Sequence, residues 1–409
     1  MLGSIADDFT GATDLATMLR RSGHRVSVVI ENGTLSPDQL RAADAVVVAL
    51  KTRTAPRAEA VEASLDALAR LRSWGATRFY VKYCSTFDST DEGNIGPVLD
   101  AVSDAVGAGR AVVVPALPAN GRTVYQGHLF VGPDLLENSS MRHHPLTPMT
   151  RSRVADLLRP QTAHDVAEVP LATVHEGAGA VRDSLDAAGA RYVVVDAVSD
   201  DDLVTIGAAT AGDRLVSGGS GLALGIAGPG LPDERWSPPR TGRGVVLCGS
   251  VSTATLGQVA DAARTQPVRT VDLAAAVADE QATAADLVDW VERQDAASYP
   301  VVCAARERAD VRPEVDGVAV APVVERVLAE VARRLVERGT VTALVVAGGE
   351  SSGAVVRALG VDALRIGPEL GPGVCWATGS AGDRTVALAL KSGNFGGADL
   401  FTAAWEVLR

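Results

Sequence analysis

Short runs of valine, leucine and isoleucine recur along the first half of the chain, separated by longer stretches rich in alanine, leucine and arginine. The runs RVSVVI (25–30), DAVVVAL (44–50), RFYVKY (78–83), AVVVPAL (111–117) and RYVVVDA (191–197) are nearly continuous in apolar character, which predicts parallel strands covered on both faces. Segments 57–73 and 94–107 carry apolar residues at helical spacing between them. This alternation predicts an α/β sheet with helices on its faces. At 228–244 the chain reads GPGLPDERWSPPRTGRG, a density of proline and glycine that marks a linker. Beyond it a second series begins with GVVLCGS (244–250) and continues to VTALVVAGGESSG (341–353). The expectation is an α/β protein of two domains, 1–235 and 236–409, each a largely parallel sheet flanked by helices, with a ligand cleft between them. The alanine-rich stretch 273–285 reads as an ordinary helix.

Polar residues gather where strands should end. LGSIA reads as the first strand and ATDLATMLRRSG as a helix closing at Gly23, so Asp7, Asp8 and Thr10 occupy the turn between them. That turn is where α/β proteins bind ligands. One aspartate there can cap the helix. Two successive residues leaving a strand point in different directions, so the other can face the crevice as hydrogen-bond acceptor, general base or Mg²⁺ ligand. After RFYVKY, the stretch CSTFDSTDEGNIG (84–96) gathers Ser85, Thr86, Asp88, Ser89 and Thr90 just beyond Lys82. Hydroxyls with a carboxylate suit a polyhydroxylated ligand, and Lys82 suits an acid group; the plainer alternative is a capped turn. Lys51 and Arg53, two apart in KTRT, share a face in extended chain. The three strand ends together fit a small acidic sugar. Arg122, in GRTVY after a Pro/Gly turn, is either a crevice residue or half of a salt bridge.

The second half carries a different signature. Gly348, Gly349, Glu350, Ser351 and Ser352 lie between an expected strand and helix, where bare amides bind anions such as phosphate. VVLCGSVSTATLGQV offers Ser250, Ser252 and Thr253 in the same position, and LKSGNFGGADLF (390–401) adds Lys391, Gly393 and Gly396. No Walker A or GxGxxG pattern occurs. Three phosphate-compatible loops in one domain outweigh any one of them.

Charge and composition narrow the classes. With 38 basic against 50 acidic residues the net charge is −12, which disfavours nucleic acid and anionic membranes as partners. The N-terminus lacks the pattern of a signal segment, and no run approaches the roughly 18 apolar residues of a membrane span; a cytoplasmic protein is expected. Cys84, Cys248, Cys303 and Cys375 are scattered, so reduced thiols are expected. His128, His143 and His144 lack zinc-ligand spacing, and no protein-bound metal centre is expected. Only Lys51, Lys82 and Lys391 are lysines, and lysine is a point charge suited to a phosphate or carboxylate oxygen. A dehydrogenase would need a dinucleotide fingerprint. A sugar-acid sensor would need no phosphate loops, and a phosphatase would leave the second domain without a purpose.

Together IADDFTGA (5–12), VKYCSTFDSTDEGNIGPV (81–98), PALPANGRTVYQGHLFV (115–131), HPLTPM (144–149), GGSGLA (218–223), GGESSGAVVRALG (348–360) and LKSGNFGGADLF resemble the four-carbon acid sugar kinases. The resemblance spans nearly the whole chain. It implies ATP and Mg²⁺ as cofactors and phosphorylation of the terminal (C4) hydroxyl of an acid sugar. HPLTPM and GHLFV are most similar to the branch acting on 3-oxo-tetronate, with D-erythronate or L-threonate as the alternatives. The resemblance implies ATP contacts at Ser250, Ser252, 348–351, Lys391 and Gly393. It implies Asp8 as base and Asp7 as an orienting or metal-linked partner, or the reverse order, with Arg53 and Lys82 on the substrate carboxylate and Asp88 with Ser85 on its hydroxyls. Partners are then the acid sugar and ATP, with a homodimer left open and the role of 218–223 undecided.

Overall fold

The computed structural model describes residues 1–408 except 145, 231–235, 237, 239–242 and 372. The expected boundary at 235/236, much of the linker around it, and Pro145 of HPLTPM lie outside the described residues. The chain forms two compact units, Met1–Glu31 with Leu35–Asp233, and Asn32–Thr34 with Glu234–Arg409.

In the first unit the apolar runs become β1 (Leu2–Ala6), β2 (Val26–Ile30), β3 (Ala45–Ala49), β4 (Arg78–Lys82), β5 (Ala111–Val114), β9 (Val166–Val169), β10 (Tyr192–Val195) and β11 (Leu215–Gly218). Between β5 and β9 lies a small antiparallel sheet of β6 (Arg122–Tyr125), β7 (His128–Val131) and β8 (Asp134–Leu135). The main sheet is parallel in the order β2-β3-β1-β4-β11-β5-β10-β9. Every residue of β1, β2 and β3 is buried, as helices on both faces require. A fully buried valine or leucine contributes roughly 1.5–3 kcal/mol. From β1 the chain goes to β2 and back to β3 on one side and then crosses to β4 on the other, so the order reverses at β1. Such a switch point opens a crevice at the carboxyl ends of the strands. The helices Arg57–Ser73 and Ile95–Val106 fall where helical spacing predicted them. Helix Phe9–Arg21 ends in Arg20 and Arg21, cations suited to a helix C-terminus, and the chain reverses at Gly23 with φ +94. A Cβ there would also meet the Gly230 carbonyl oxygen at 2.3 Å.

The second unit holds β12 (Arg243–Cys248), β13 (Val268–Thr270), β14 (Val301–Cys303), the two-residue strands β15 (Glu314–Val315) and β16 (Val318–Ala319), β17 (Val341–Ala347), β18 (Ala363–Gly371), β19 (Val374–Ala381) and β20 (Arg384–Lys391). β13-β14-β12-β17-β20 run parallel, while β20-β19 and β19-β18 are antiparallel. The stretch 273–285 departs from the single helix expected of it. Helix Leu273–Ala278 stops at Asp279, whose backbone is extended and whose carboxylate accepts from the Gln281 and Ala282 N–H groups to start a second helix, Glu280–Glu292. An aspartate that can satisfy two orphan donors favours a new N-terminus over continuation. Trp376 and Trp405 are buried against β12, β17 and β20, and Tyr299 stacks on Trp405 at 4.3 Å. The indoles donate to the Ala404 and Phe401 carbonyls. The chain just after the 391–397 loop is thereby fixed to the core.

Candidate functional site

Parallel register brings the polar strand ends of the first unit together. Ala6 pairs with Ala49 of β3 and with Lys82 of β4, so residues 7–8, 50–53 and 82–88 emerge side by side. The backbone closes the group: Asp7 N–H donates to the Lys82 carbonyl, and the Thr52 and Arg53 N–H groups donate to the Asp7 carbonyl. Asp8 is the helix cap, Oδ1 accepting from the Gly11 N–H at 2.9 Å and Oδ2 from the Thr10 hydroxyl at 2.9 Å. Arg53 grips Asp7 through Nε and Nη2, each at 2.8 Å, and reaches Asp8 Oδ1 from Nη2 at 2.7 Å. Burial opposes ionisation of Asp8, but the charges of Arg53 and Lys82 and the bonds from Thr10 and Gly11 outweigh it and hold the carboxyl below its usual range. Burial likewise disfavours charge on Arg53, yet Asp7 and Asp8 raise it well above its ordinary value.

Lys82 is buried, its ammonium donating to the Tyr83 carbonyl at 2.9 Å. Gly11 makes room for it: a Cβ there would lie 2.2 Å from Asp8 Oδ1 and 2.9 Å from Lys82 Nζ. Asp88 is buried and accepts from the Thr86 hydroxyl at 2.5 Å. Ser85 is half-buried beside Gly219, and Cys84 contacts Thr86. Burial, with Asp88 nearby, pushes the Cys84 thiol up to about 12, so it stays protonated. A cavity of about 20 Å³ lies among Asp7, Thr52, Lys82 and Asn94. That is room for a water, not a sugar. A ligand of sugar size must approach from the open side, where Asp8 and Arg53 keep 27% and 23% of their side-chain surface exposed. Arg122 stands on β6, donating to the Asn120 carbonyl, and its contacts do not include the Asp7–Arg53 group. The 218–221 glycines are a close-packed turn. Cβ atoms at Gly218, Gly219 and Gly221 would lie within 2.6 Å of the Val114, Pro115 and Ala116 carbonyls, and Ser220 donates to Asp14 of helix Phe9–Arg21.

The second unit repeats the design with other chemistry. Cys248 of β12 pairs with Ala347 of β17, and Ala347 with Lys391 of β20, so loops 249–252, 348–351 and 392–397 emerge together. Gly249 and Ser250 N–H groups donate to the Ala347 carbonyl, and Gly348 N–H donates to the Lys391 carbonyl. Their approach is close: a Cβ on Gly249 would lie 2.0 Å from Ser351 Oγ, and one on Gly393 2.6 Å from Ser250 Oγ. Gly348 has φ +122, and Gly349 and Glu350 are exposed at the first turn of helix Gly349–Ala358. Ser252 caps helix Thr253–Ala262. Lys391, expected at a phosphate oxygen, is wholly buried beneath these loops and donates to Thr255 Oγ1 and the Gly393 carbonyl, both at 2.9 Å. Burial lowers its pKa to about 8, Cys248 opposing. Sequence reasoning missed Thr255 and Gln258. Gln258 Nε2 donates to the Phe395, Gly396 and Gly397 carbonyls at 2.9–3.1 Å. Both are buried polar residues one and two turns into a helix, a signal visible in STATLGQ only once the facing loop is known.

No cluster of three His, Cys, Asp or Glu suited to a metal ion occurs among the described residues. Mg²⁺ that arrives on triphosphate oxygens needs only one or two protein carboxylates, and Asp7, Asp8 and Glu350 are such groups at the two sites. Among the described residues no helix is long and apolar enough to cross a membrane.

Comparison with known proteins fits this division. Residues 2–226 match a sugar-binding N-terminal domain family and residues 245–401 a nucleotide-binding C-terminal domain family. The chain is 46% identical to proteins of Burkholderia multivorans and Cupriavidus necator, each named 3-oxo-tetronate kinase, over 100% of its own length and 97% of theirs. A relative of that name from Pectobacterium atrosepticum is 43% identical over 98% of both chains. Crystal structures from Salmonella typhimurium LT2 (41% identity, TM-score 0.91, 100% of this chain and 99% of that one) and Haemophilus influenzae (38%, 0.83, 100% of both) share the fold. With both domain models matched in order and full-length relatives well above 30% identity, this chain belongs to the four-carbon acid sugar kinase family.

Proposed function

We propose that the protein is a kinase that transfers the γ-phosphoryl group of ATP to the terminal hydroxyl of 3-oxo-tetronate, giving the 4-phosphate. The observation that carries this reading is the pair of strand-end sites of complementary chemistry, one built from ionised side chains and the other from hydroxyls and glycine amides. The full-length relatives named 3-oxo-tetronate kinase supply the substrate.

Phosphoryl transfer depends on positioning and charge neutralisation. Asp8 is the base: its carboxylate is held ionised, and Thr10, Gly11 and Arg53 fix its orientation. It accepts the hydrogen bond of the C4 hydroxyl and takes the proton as the bond from that oxygen to the γ phosphorus forms and the bond to the bridging oxygen breaks, releasing ADP. Asp7 anchors Arg53. With Nε and Nη2 of Arg53 committed to the two aspartates, its Nη1 is left for the substrate carboxylate, assisted by the charge of Lys82. Asp88 and Ser85 take the C2 hydroxyl, the one internal hydroxyl of 3-oxo-tetronate, and Arg122 is a further contact from β6. Ser250, Ser252, Gly348, Gly349, Glu350, Ser351 and Gly393 form the nucleotide site, with Lys391 beneath it. Mg²⁺ entering with the nucleotide would be held by one or two of the carboxylates Asp7, Asp8 and Glu350 and would supply charge neutralisation.

A coupled ADP-release assay across 3-oxo-tetronate, D-erythronate, L-threonate and longer aldonates tests the reading. The expected result is sugar-dependent ADP release with the highest kcat/KM for 3-oxo-tetronate. ADP release that ignores the sugar, or none with any of them, overturns it.

A further inference from the structure

We infer that the second unit presents the backbone N–H of Asn394 to the triphosphate, and that Thr255, Ser252 and Lys391 are positioning residues that turn this one peptide. The inference rests on the reading of these loops as the ATP site. The Gly393 carbonyl accepts from three side chains at once: Ser252 Oγ at 2.6 Å, Thr255 Oγ1 at 2.7 Å and Lys391 Nζ at 2.9 Å. A carbonyl oxygen has two lone pairs, so three donors exceed what satisfying a loop requires.

The chain makes a turn there, Phe395 N–H donating to the Ser392 carbonyl. Such a turn uses neither polar group of its central peptide, here Gly393–Asn394. That peptide is trans, and in a planar trans peptide the N–H points opposite to the C=O. With the carbonyl drawn down onto buried Thr255 and Lys391, the Asn394 N–H faces the other way, at an exposed residue. It has no partner among the described residues.

This arrangement gives a wholly buried lysine a route to a phosphate it does not touch. An ammonium out of water without a carboxylate among its hydrogen-bond partners is costly. Here its field lies along the peptide, oxygen toward the cation and N–H toward the ligand, and hydrogen bonds in series polarise one another. The ligand class is a polyphosphate, whose oxygens take charge-assisted bonds from amides. Gly393 is required because a Cβ would strike Ser250 Oγ.

Binding of ATP, tripolyphosphate and adenosine, measured by calorimetry, decides the matter. Asn394→Pro removes the N–H, whereas Asn394→Ala keeps it and removes the side chain. The expected result is at least a tenfold loss for ATP and tripolyphosphate in Asn394→Pro, none in Asn394→Ala, and no change for adenosine in either. Thr255→Val is expected to weaken both phosphates about tenfold and raise KM for ATP but not for the sugar, with Thr255→Ser restoring it. Wild-type affinity for ATP in both Asn394→Pro and Thr255→Val, or equal losses in Asn394→Pro and Asn394→Ala, overturns the inference and leaves the ATP reading standing. A wild-type protein that binds neither phosphate overturns both.

Discussion

Each unit draws a cation in among the carboxyl ends of three parallel strands in register, half-buried in the first and wholly buried in the second, and the two cations respond in opposite ways. Arg53 faces two carboxylates within 2.8 Å and is raised well above its ordinary pKa. Lys391 faces a hydroxyl and a carbonyl, and burial pulls it down to about 8. Desolvation acts against both charges, so the difference lies in the partners. The first site can hold charge in the absence of ligand because it is internally neutralised. The second holds a positive charge whose hydrogen-bond partners are neutral. The ligands proposed for them, a sugar acid and a polyphosphate, the one weakly and the other heavily charged, fit this difference.

The sharpest way to break the comparison is at Asp8. Asn caps a helix as well as Asp does, so Asp8→Asn should leave the fold in place while removing the proton acceptor. A general base is worth about 10²–10⁴ in rate, and kcat in the ADP-release assay should fall by that range with ATP affinity unchanged. Turnover within threefold of wild type would move the base to Asp7 or elsewhere.

Arg53→Met tests the internal neutralisation. It leaves two adjacent carboxylates against Lys82 alone, and loss of one partner of a largely buried ion pair costs about 3 kcal/mol. Asp8, now held below its usual range, should rise. A depressed folded pKa contributes stability that is present above the unfolded value of 3.8 and lost as pH falls through the folded one. Wild type should therefore exceed the variant in stability at pH 5–7 and converge on it in stronger acid, and the acid limb of kcat/KM should move upward in the variant. A Tm difference independent of pH would show that Arg53 acts by packing.

A smaller effect is expected at the second site from Gly249→Ala. The added Cβ would lie 2.0 Å from Ser351 Oγ and 3.2 Å from Ser351 Cβ, so the Ser351 hydroxyl must turn away from its place between the 249–252 and 348–351 loops. KM for ATP should rise about tenfold while KM for the acid sugar stays within twofold. A matching rise in both would mean that the substitution disturbs more than the nucleotide loops.

Much of this was legible in sequence because parallel strands buried on both faces write themselves as unbroken valine runs, and β1–β5, β10, β12 and β17 fall where those runs lie. The last three strands, β18–β20, were not, because ALRIGPELG, VCWATGSA and RTVALALK mix small, polar and charged residues with apolar ones. The residues of both sites could be named from their position after strands. Their mutual contacts could not, since Arg53 meets Asp7 across 46 positions and Lys391 meets Thr255 across 136. For that reason Arg53 read only as a grip on the substrate carboxylate and Lys391 only as a phosphate contact. Local pattern shows which strand ends carry polar groups, while register between distant strands decides which of those groups meet.

The smallest expected effect distinguishes a lysine kept for function from one kept for stability. Lys391→Met removes a buried charge whose pKa falls from 10.5 to about 8, a penalty on the order of 3 kcal/mol. It also removes two bonds, to the Gly393 carbonyl and to Thr255 Oγ1, each worth about 1–2 kcal/mol, with Ser252 and Thr255 still on that carbonyl. The two effects nearly cancel, so the variant should match wild-type stability near pH 7. The pH course follows from the same numbers. Between about 8 and 10.5 the unfolded chain binds the proton that the folded chain has lost, so wild-type stability gains with rising pH over that window. The stability difference between the two proteins should therefore be constant below pH 8 and move in favour of wild type above it, as read from their Tm values. Should Tm drop by several degrees at pH 7 and the difference ignore pH, the ammonium would be a structural strut, and the contrast with Arg53 would be one of geometry, with charge playing no part.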